Sequence, residues 1–403
     1  MHGRNYDYIN EGGTMQTTKK KVAKNSSKIS QLKLNNRVDL PLLIIVLILV
    51  AIGLVMVLSA SSPTALAESG KSYTYFRTQA IAAVLGFIAM FILSKLNYDI
   101  YKKFYKLIYV LSVLILFMVL IPKIGVESNG ARRWINLGMQ IQPSEITKIG
   151  LIIWVAGYYS DPKNKIEGFW ASCLKPIVAV GIPIVILYFV QNHLSAGIVI
   201  AMVTAVMIVM SGCQLKYIAY IVGLGVGAVA IIFPFVRTKF ADGFRSDRIA
   251  AWLDPWENPT GTSYQTIQGL YAIGSGGLFG VGLGESKQKY LYIPEAHNDF
   301  IFAIIAEELG FVGCAIVLGL FAALVVRGIV IAIRAKDTFG SLVAIGITAL
   351  IATQVILNIA VVTNTIPNTG ISLPFLSYGG SSLVILLSCM GVLLNISRTA
   401  KKI

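Results

Sequence analysis

Ionisable side chains stand around the start of a long apolar stretch in the segment PEAHNDFIFAIIAEELG, residues 294–310. His297 and Asp299 precede the apolar run, whereas Glu307 and Glu308 lie inside it. A carboxylate at the entrance of an apolar helix can act as a general base, and it can equally stabilise the helix N-terminus through the helix dipole. Both roles stay open for Asp299, and structural ion pairing competes with function for Glu307 and Glu308.

A second group of chemically active side chains stands in the segment NGARRWINLGMQIQPSEITKIG. Arg132 and Arg133 supply two guanidinium groups beside Trp134, a combination suited to a diphosphate and a sugar face. A tryptophan at a membrane boundary is also ordinary aromatic-belt behaviour, so the lipid interface remains an alternative. Glu145 and Lys148 are spaced i, i+3 and can neutralise one another on a helix face, which favours a structural role.

A long polar stretch, about residues 237–297, adds further cations. Arg245 and Arg248 come first, and Lys287 and Lys289 close the glycine-rich run GSGGLFGVGLGESKQKYLY. The glycine spacing matches neither the dinucleotide fingerprint nor the phosphate loop with its terminal GK[ST]. A bent or re-entrant segment packed against helices is the better interpretation, because irregular backbone at membrane depth must be buried in protein.

The stretch NTIPNTGISLPFLSYGGSS interrupts the helical pattern with prolines and glycines. Its backbone polar groups need partners, so we expect it to fold back into the protein and to line a cavity. Ser377, Gly379 and Gly380 lie in it and are predicted to shape this groove.

The elements that must position these residues are membrane helices. The chain has 403 residues, 56% hydrophobic and 13% charged, with a mean hydropathy of +0.73. Its apolar blocks have roughly the length that crosses a bilayer, which predicts an all-α polytopic membrane protein. Ten spans are predicted, near residues 40–60, 78–95, 104–122, 144–160, 174–190, 194–211, 217–236, 298–326, 340–362 and 380–396. They form one transmembrane domain over residues 39–398, with a large loop at about 237–297 between the seventh and eighth helices.

The basic residues predict the orientation of the bundle. The formal net charge is +15, and the cationic residues concentrate before the first span and in one set of alternate loops, which the positive-inside rule assigns to the cytoplasm. This distribution favours anionic lipid over nucleic acid as partner. Residues 1–38 are predicted to form a disordered basic cytoplasmic tail, and residues 399–403 a cytoplasmic C-terminus. Four isolated cysteines and three histidines indicate neither a disulfide framework nor a zinc site.

The motifs resemble one family when taken together. GARRWI, QPSEITK, NHLSAGIVI, PEAHNDFIF and PNTGISLPFLSYGGSS, in this order, resemble the SEDS family (shape, elongation, division, sporulation) of FtsW, RodA and SpoVE over residues 39–398. NHLSAG is similar to the division-type branch of FtsW and SpoVE, and FtsW is the first choice. One departure stands out: Asn364 occupies a position where the family pattern has a small residue, usually glycine.

The resemblance implies a peptidoglycan glycosyltransferase of the cell membrane, enriched at the division septum. Such an enzyme polymerises lipid II into β-1,4-linked glycan and works with a class B penicillin-binding protein and other division proteins. Asp299 is the family's essential carboxylate, and cationic side chains or a bound divalent ion must stabilise the departing diphosphate. A lipid II flippase and a non-catalytic division scaffold are the alternatives. The residues expected to bind substrate are Arg132, Arg133, Trp134, Arg245, Arg248, Lys287, Lys289 and His297.

Overall fold

A computed structural model describes residues 38–128, 131–136, 138, 140–164, 166–214, 216–217, 219–220, 244–261 and 263–400. The predicted N-terminal tail, up to residue 37, lies outside the described residues. So do residues 221–243, which include most of the predicted seventh span.

Helices make up most of the described chain. A 3₁₀ turn, Ile115–Leu120, extends the third helix, and a π-helical turn, Trp170–Leu174, leads into the fifth. The helices are α1 (Leu40–Ser69), α2 (Thr74–Lys95), α3 (Asp99–Leu114), α4 (Pro143–Ser160), α5 (Lys175–Phe189), α6 (Leu194–Met210), α7 (Phe244–Leu253), α8 (Tyr264–Ser275), α9 (Ile301–Arg334), α10 (Thr338–Val362) and α11 (Gly380–Arg398).

The ends of α1 show how local sequence sets helix boundaries. The Asp39 carboxylate accepts a hydrogen bond from the Leu42 backbone N–H at 3.0 Å and so caps the first turn. Arg327 of α9 pairs with the same carboxylate, which ties the two helices together. At the other end Gly70 takes a left-handed conformation with φ 68°, as a helix-terminating glycine commonly does.

The helices confirm the predicted class, a polytopic helical membrane protein. Among the described residues, seven are long and apolar enough to cross a membrane: α1, α2, α3 with its 3₁₀ turn, the π-helical turn with α5, α9, α10 and α11. The shorter α4 and α6 coincide with two further predicted spans. Helix α10 packs against α4, α6 and α9, and its buried side chains belong to the apolar core.

A small antiparallel sheet stands where the sequence predicted only a loop. It consists of β1 (Gly125–Ser128), β2 (Ala131–Asn136) and β3 (Gln140–Ile141), in the order β1-β2-β3. The sheet lies between α3 and α4 in the chain and makes Arg133 part of a paired strand. We call the end of the bundle formed by this sheet, residues 190–193, residues 244–300 and residues 363–379 the site end.

Helix α9 is broken at Gly310, whose φ of 67° and ψ of −166° are not helical. The glycine-rich segment 276–284 fills the break. The N–H groups of Val281 and Gly282 donate to the carbonyls of Glu307 and Glu308 at 2.9 and 3.1 Å. In the other direction, the N–H groups at positions 311 and 312 donate to the carbonyls at 277 and 278. The predicted re-entrant segment is confirmed, and it satisfies the backbone groups that the break exposes.

The tight approach of this segment gives a testable prediction. A Cβ atom at Gly280, where φ is 81°, would lie 2.1 Å from the Glu308 carbonyl oxygen. We expect Gly280→Ala to lower the free energy of unfolding by at least about 2 kcal/mol. The matched control is Gly274→Ala in α8, where an added Cβ meets nothing within 4 Å and alanine should be neutral or stabilising. Thermal unfolding of both variants in detergent measures the difference, and equal melting temperatures would contradict the pairing.

Candidate functional site

Asp299 lies at the site end, just before the first residue of α9. Its side chain is half-buried, and helix α9 begins after Phe300 without a side-chain cap. The Asp299 backbone carbonyl accepts a hydrogen bond from the Asn358 side-chain amide at 2.8 Å. The main chain of Asp299 is thereby fixed. Its carboxyl group faces Gly370, in the segment that leads into α11: a Cβ atom added at Gly370 would lie 3.1 Å from Oδ2 of Asp299.

Two arginines lie near enough to Asp299 for their charges to act on its carboxyl group. Arg133 of β2 donates to the backbone carbonyls of Gln191 at 3.3 Å and Asn192 at 2.7 Å. Arg248 of α7 donates to the Asn368 carbonyl at 2.8 Å. Both guanidinium groups are therefore oriented by main-chain acceptors on separate segments, and the three side chains converge from parts of the sequence far from one another.

The pKa of Asp299 reflects a competition between burial and charge. Burial and the negative charge of Glu295 raise the pKa, Arg248 and Arg133 lower it, and the result is a pKa of about 6. Burial also disfavours the charged form of both arginines and so lowers their pKa, whereas the negative charge of Asp299 raises it. A carboxyl group with a pKa near the working pH is suited to take up and release a proton.

Neutral amide side chains that the sequence analysis missed support the site. Asn358 of α10 donates to the carbonyls of both Asp299 and Ile371, at 2.8 and 2.7 Å. Gln79 of α2 donates to the Ser377 carbonyl and accepts from the Gly379 N–H, each at 3.1 Å. Both amides are fully buried. A polar residue inside a predicted membrane span was the available sign of their importance.

The predicted groove residues occupy the turn that leads into α11. The Ser377 hydroxyl donates to the Asn298 carbonyl at 2.8 Å and accepts from the Leu373 N–H at 2.7 Å. Gly379 immediately precedes α11 and Gly380 is its first residue. The segment therefore folds back toward Asp299 and satisfies its own backbone groups, as expected for irregular chain at this depth.

The backbone conformation at Asn364 accounts for its departure from the family pattern. Its φ is 54°, in the left-handed region that glycine adopts most readily and asparagine tolerates. The side-chain amide also donates to the Trp252 carbonyl at 3.3 Å. The substitution therefore keeps the backbone conformation and adds a link to α7.

Three of the other residues predicted to bind substrate are described with their side chains. Arg132 is exposed and pairs with Glu127 at 3.2 Å, although it neighbours Arg133 in β2. Trp134 is half-buried on the same strand, and Lys287 is exposed. Arg245 lies on α7, but its side chain falls outside the described part.

Lys289 has a different environment from the one that the sequence suggested. It is 4% exposed, and its ammonium group lies 2.9 Å from Glu308 and 3.1 Å from the Ser59 hydroxyl. The Ser59 hydroxyl also donates to Glu308 at 2.6 Å. Because the Lys289 charge is neutralised inside the bundle, it does not belong to the cations that face Asp299. The partner of Glu308 is thus Lys289.

The remaining buried carboxylates also have structural partners. Glu307 accepts from the Ser286 hydroxyl at 2.5 Å and from the Lys287 backbone N–H at 2.9 Å. Glu145 and Lys148 pair with each other at 2.6 Å within α4, in agreement with their i, i+3 spacing.

His297 packs in an aromatic cluster. Its ring centroid lies 4.4 Å from that of Tyr75 and 5.6 Å from that of Tyr378. Burial lowers its pKa, against the effect of Glu295 and Glu68, and so favours the neutral ring. This environment indicates a packing role next to the site. In the described ranges, no group of three or more His, Cys, Asp or Glu side chains is arranged to hold a metal ion.

The fold and the site define a polytopic helical membrane protein in which irregular segments at one end hold a carboxyl group beside two arginines. The sequence model of the FtsW, RodA and SpoVE family, described as "Cell cycle protein", matches residues 40–402. The chain belongs to this family, which confirms the resemblance seen in its motifs.

Individual relatives agree with this assignment. Stage V sporulation protein E of Bacillus subtilis (strain 168) is 43% identical over 364 residues, covering 90% of this chain and 98% of that protein. A protein named "Probable peptidoglycan glycosyltransferase FtsW" from Geobacter sp. (strain M18) is 40% identical over 340 residues, covering 84% and 91%.

Solved structures share the fold. One, described as "Structural coordination of polymerization and crosslinking by a peptidoglycan synthase complex", matches with a TM-score of 0.73 and 28% identity. The match covers 90% of this chain and 98% of that chain. The crystal structure of the rod shape determining protein RodA of Thermus thermophilus matches with a TM-score of 0.66 and 27% identity, covering 91% and 99%.

The placement of Lys289 is testable by comparing stability with activity. We expect Lys289→Met to lower the free energy of unfolding by about 3–5 kcal/mol, because Glu308 would be left buried without its partner. Adding Glu308→Leu should recover most of that loss, and the exposed Lys287→Met should change stability by less than about 0.5 kcal/mol. Denaturation of the purified variants measures this. A stable Lys289→Met variant that has lost only activity would instead indicate a substrate-binding lysine.

Proposed function

We propose that this protein is a peptidoglycan glycosyltransferase that polymerises lipid II into β-1,4-linked glycan strands during septal cell-wall synthesis in cell division. Relatives at about 40% identity that are named probable peptidoglycan glycosyltransferases support the enzyme class. The observation that carries the proposal is the half-buried Asp299, with a pKa of about 6, flanked by Arg133 and Arg248.

Asp299 acts as the general base in the proposed reaction. Its carboxylate takes the proton from the 4-hydroxyl of the acceptor GlcNAc, and the freed oxygen attacks the anomeric carbon of the donor glycan. The bond from that carbon to the diphosphate oxygen breaks, and undecaprenyl diphosphate leaves with the electron pair. Arg133 and Arg248 stabilise the negative charge that develops on the leaving group.

The orientation of the bundle follows from the location of the substrate. We place the site end on the outer face of the cell membrane, where the sugars of lipid II are available while the lipid anchor stays in the bilayer. Both termini are then cytoplasmic, in keeping with the positive-inside rule. The proposed catalytic bundle comprises residues 39–398.

The proposed partners are a class B penicillin-binding protein, which crosslinks the new glycan, and other proteins of the division septum. The similar solved chain described as part of a peptidoglycan synthase complex supports a partner of this kind. Similarity to both an FtsW and a sporulation protein supports the division-type branch, within which we favour FtsW.

Lipid II transport and scaffolding are the alternatives to catalysis. A flippase requires a polar passage through the bundle. The buried charged side chains neutralise one another instead, Glu145 with Lys148 and Glu308 with Lys289. A scaffold needs no carboxyl group of raised pKa between two arginines. The geometry at Asp299 therefore favours chemistry at the site end.

Removal of the base is the first test. We expect Asp299→Asn to reduce polymerisation of labelled lipid II by about 10²–10⁴-fold, because the amide cannot accept the proton. The purified protein is assayed with its class B partner, and polymer length is measured on gels. The control is Glu295→Gln, which removes the nearby carboxylate that accepts a hydrogen bond from Asn298 at 2.6 Å.

The control variant should keep most of its activity. Normal polymerisation by a folded Asp299→Asn variant would refute the base role. If the parent protein bound its partner and made no polymer, then transport of lipid II across proteoliposomes would become the leading function.

The pH dependence of the reaction gives a second test. Because the base must be ionised, kcat/KM should fall about tenfold per pH unit below a pH of about 6. Arg248 lowers the pKa of Asp299 and Glu295 raises it. Arg248→Gln should therefore move the acidic limb to higher pH, and Glu295→Gln should move it to lower pH. Limbs that stay in place in both variants would exclude Asp299 as the titrating group.

A further inference from the structure

A polar cavity of about 330 Å³ opens at the end of the bundle opposite the site end. It lies between the first turns of α3 and the residues that follow α4. Helix α4 starts near the sheet and has 18 residues, so about 27 Å separates its two ends. The side chains that matter here are Lys102, Lys103, Lys106, Lys163, Tyr105 and Asp161.

The lining of this cavity carries an excess of positive charge. Four lysines face one carboxylate, Asp161, which is already engaged by the Tyr105 hydroxyl at 3.1 Å and the Lys163 backbone N–H at 3.0 Å. In the part of the chain that the structure describes, none of the four lysines forms an ion pair. A group bearing negative charge would therefore gain attraction from several ammonium groups at once.

Close packing of Tyr105 against Gly157 forms the wall between the two helices. Tyr105 is buried against α4, and a Cβ at Gly157 would lie 2.4 Å from its ring. The ring therefore fits only because position 157 lacks a side chain. Its hydroxyl in turn donates to Asp161 at 3.1 Å, so Tyr105 and Asp161 are held together in this wall.

The apolar surface beside the cavity indicates which anion it takes. Leu107, Leu111 and Leu114 are exposed and follow one another at helical spacing along α3, and the exposed Phe104 precedes them at a kink where the backbone is not helical. They form a stripe that faces the membrane interior and begins at the lysines. A free phosphate ion would use the lysines alone, whereas a phospholipid would use the lysines and the stripe together.

We propose that this cavity binds the phosphate of an anionic phospholipid, whose acyl chains lie along the α3 stripe. Basic pockets between membrane helices on the cytoplasmic side are the sites at which such headgroups are recognised. The site is separate from Asp299, and the proposal rests on the orientation proposed above, not on the reaction at the site end.

The test is native mass spectrometry of the full chain in detergent, titrated with phosphatidylglycerol or with phosphatidylcholine. We expect preferential binding of phosphatidylglycerol, weakened at least about tenfold in the Lys102→Gln/Lys106→Gln variant. The matched control is Lys95→Gln/Lys336→Gln, which removes two exposed positive charges at the same end of the bundle. Lys102→Arg/Lys106→Arg keeps the charge and should keep binding, which separates a charge effect from misfolding.

Competition distinguishes the two sources of phosphate. Inorganic phosphate at millimolar concentration should leave phosphatidylglycerol bound, because it gains nothing from the apolar stripe. Complete displacement by inorganic phosphate would overturn the lipid assignment. Equal binding of the two lipids, or equal weakening by the cavity pair and the control pair, would overturn the site itself.

Discussion

The membrane requires every buried backbone group to find a partner, and the break in α9 shows how the chain meets that requirement. At Gly310 the backbone hydrogen bonds of the helix are interrupted. The glycine-rich segment donates backbone hydrogen bonds to the carbonyls of Glu307 and Glu308 and accepts them from the N–H groups of Phe311 and Val312. Helix and segment are consequently one unit. Buried side chains strengthen it, since Glu307 binds Ser286 and Glu308 binds Lys289, both of which follow the segment closely in the chain.

This unit determines where Asp299 lies. Residues 301–308, between the acid and the break, are fully buried, so the start of α9 has little freedom to move. The Asn358 side chain donates to the Asp299 carbonyl. Arg133 and Arg248 donate to backbone carbonyls of other segments, at Gln191 and Asn368. The acid is thus positioned through the main chain. The pKa of its carboxyl group is raised by burial and by Glu295 and lowered by the two arginines.

Periodicity and composition predicted what depends on local sequence: nine of the ten predicted spans coincide with described helices, and the re-entrant segment is present. The motif around Asp299 led to the family. The sequence did not reveal the sheet, the supporting amides of Asn358 and Gln79, or the partner of Lys289. These depend on contacts such as the one between Ser59 and Glu308, 249 positions apart, for which helical spacing gives no information.

The kinds of groups that support the site also affect its chemistry. Each buried amide binds two main-chain groups and carries no net charge, so it fixes the chain near Asp299 without shifting the proton equilibrium through a formal charge. The buried carboxylates of Glu145 and Glu308 are paired with Lys148 and Lys289, and the fields of such pairs largely cancel at a distance. The charges left to act on Asp299 are then those of Arg133, Arg248 and Glu295. A bundle that contains several buried charges can in this way leave the pKa of one carboxyl group to its immediate neighbours.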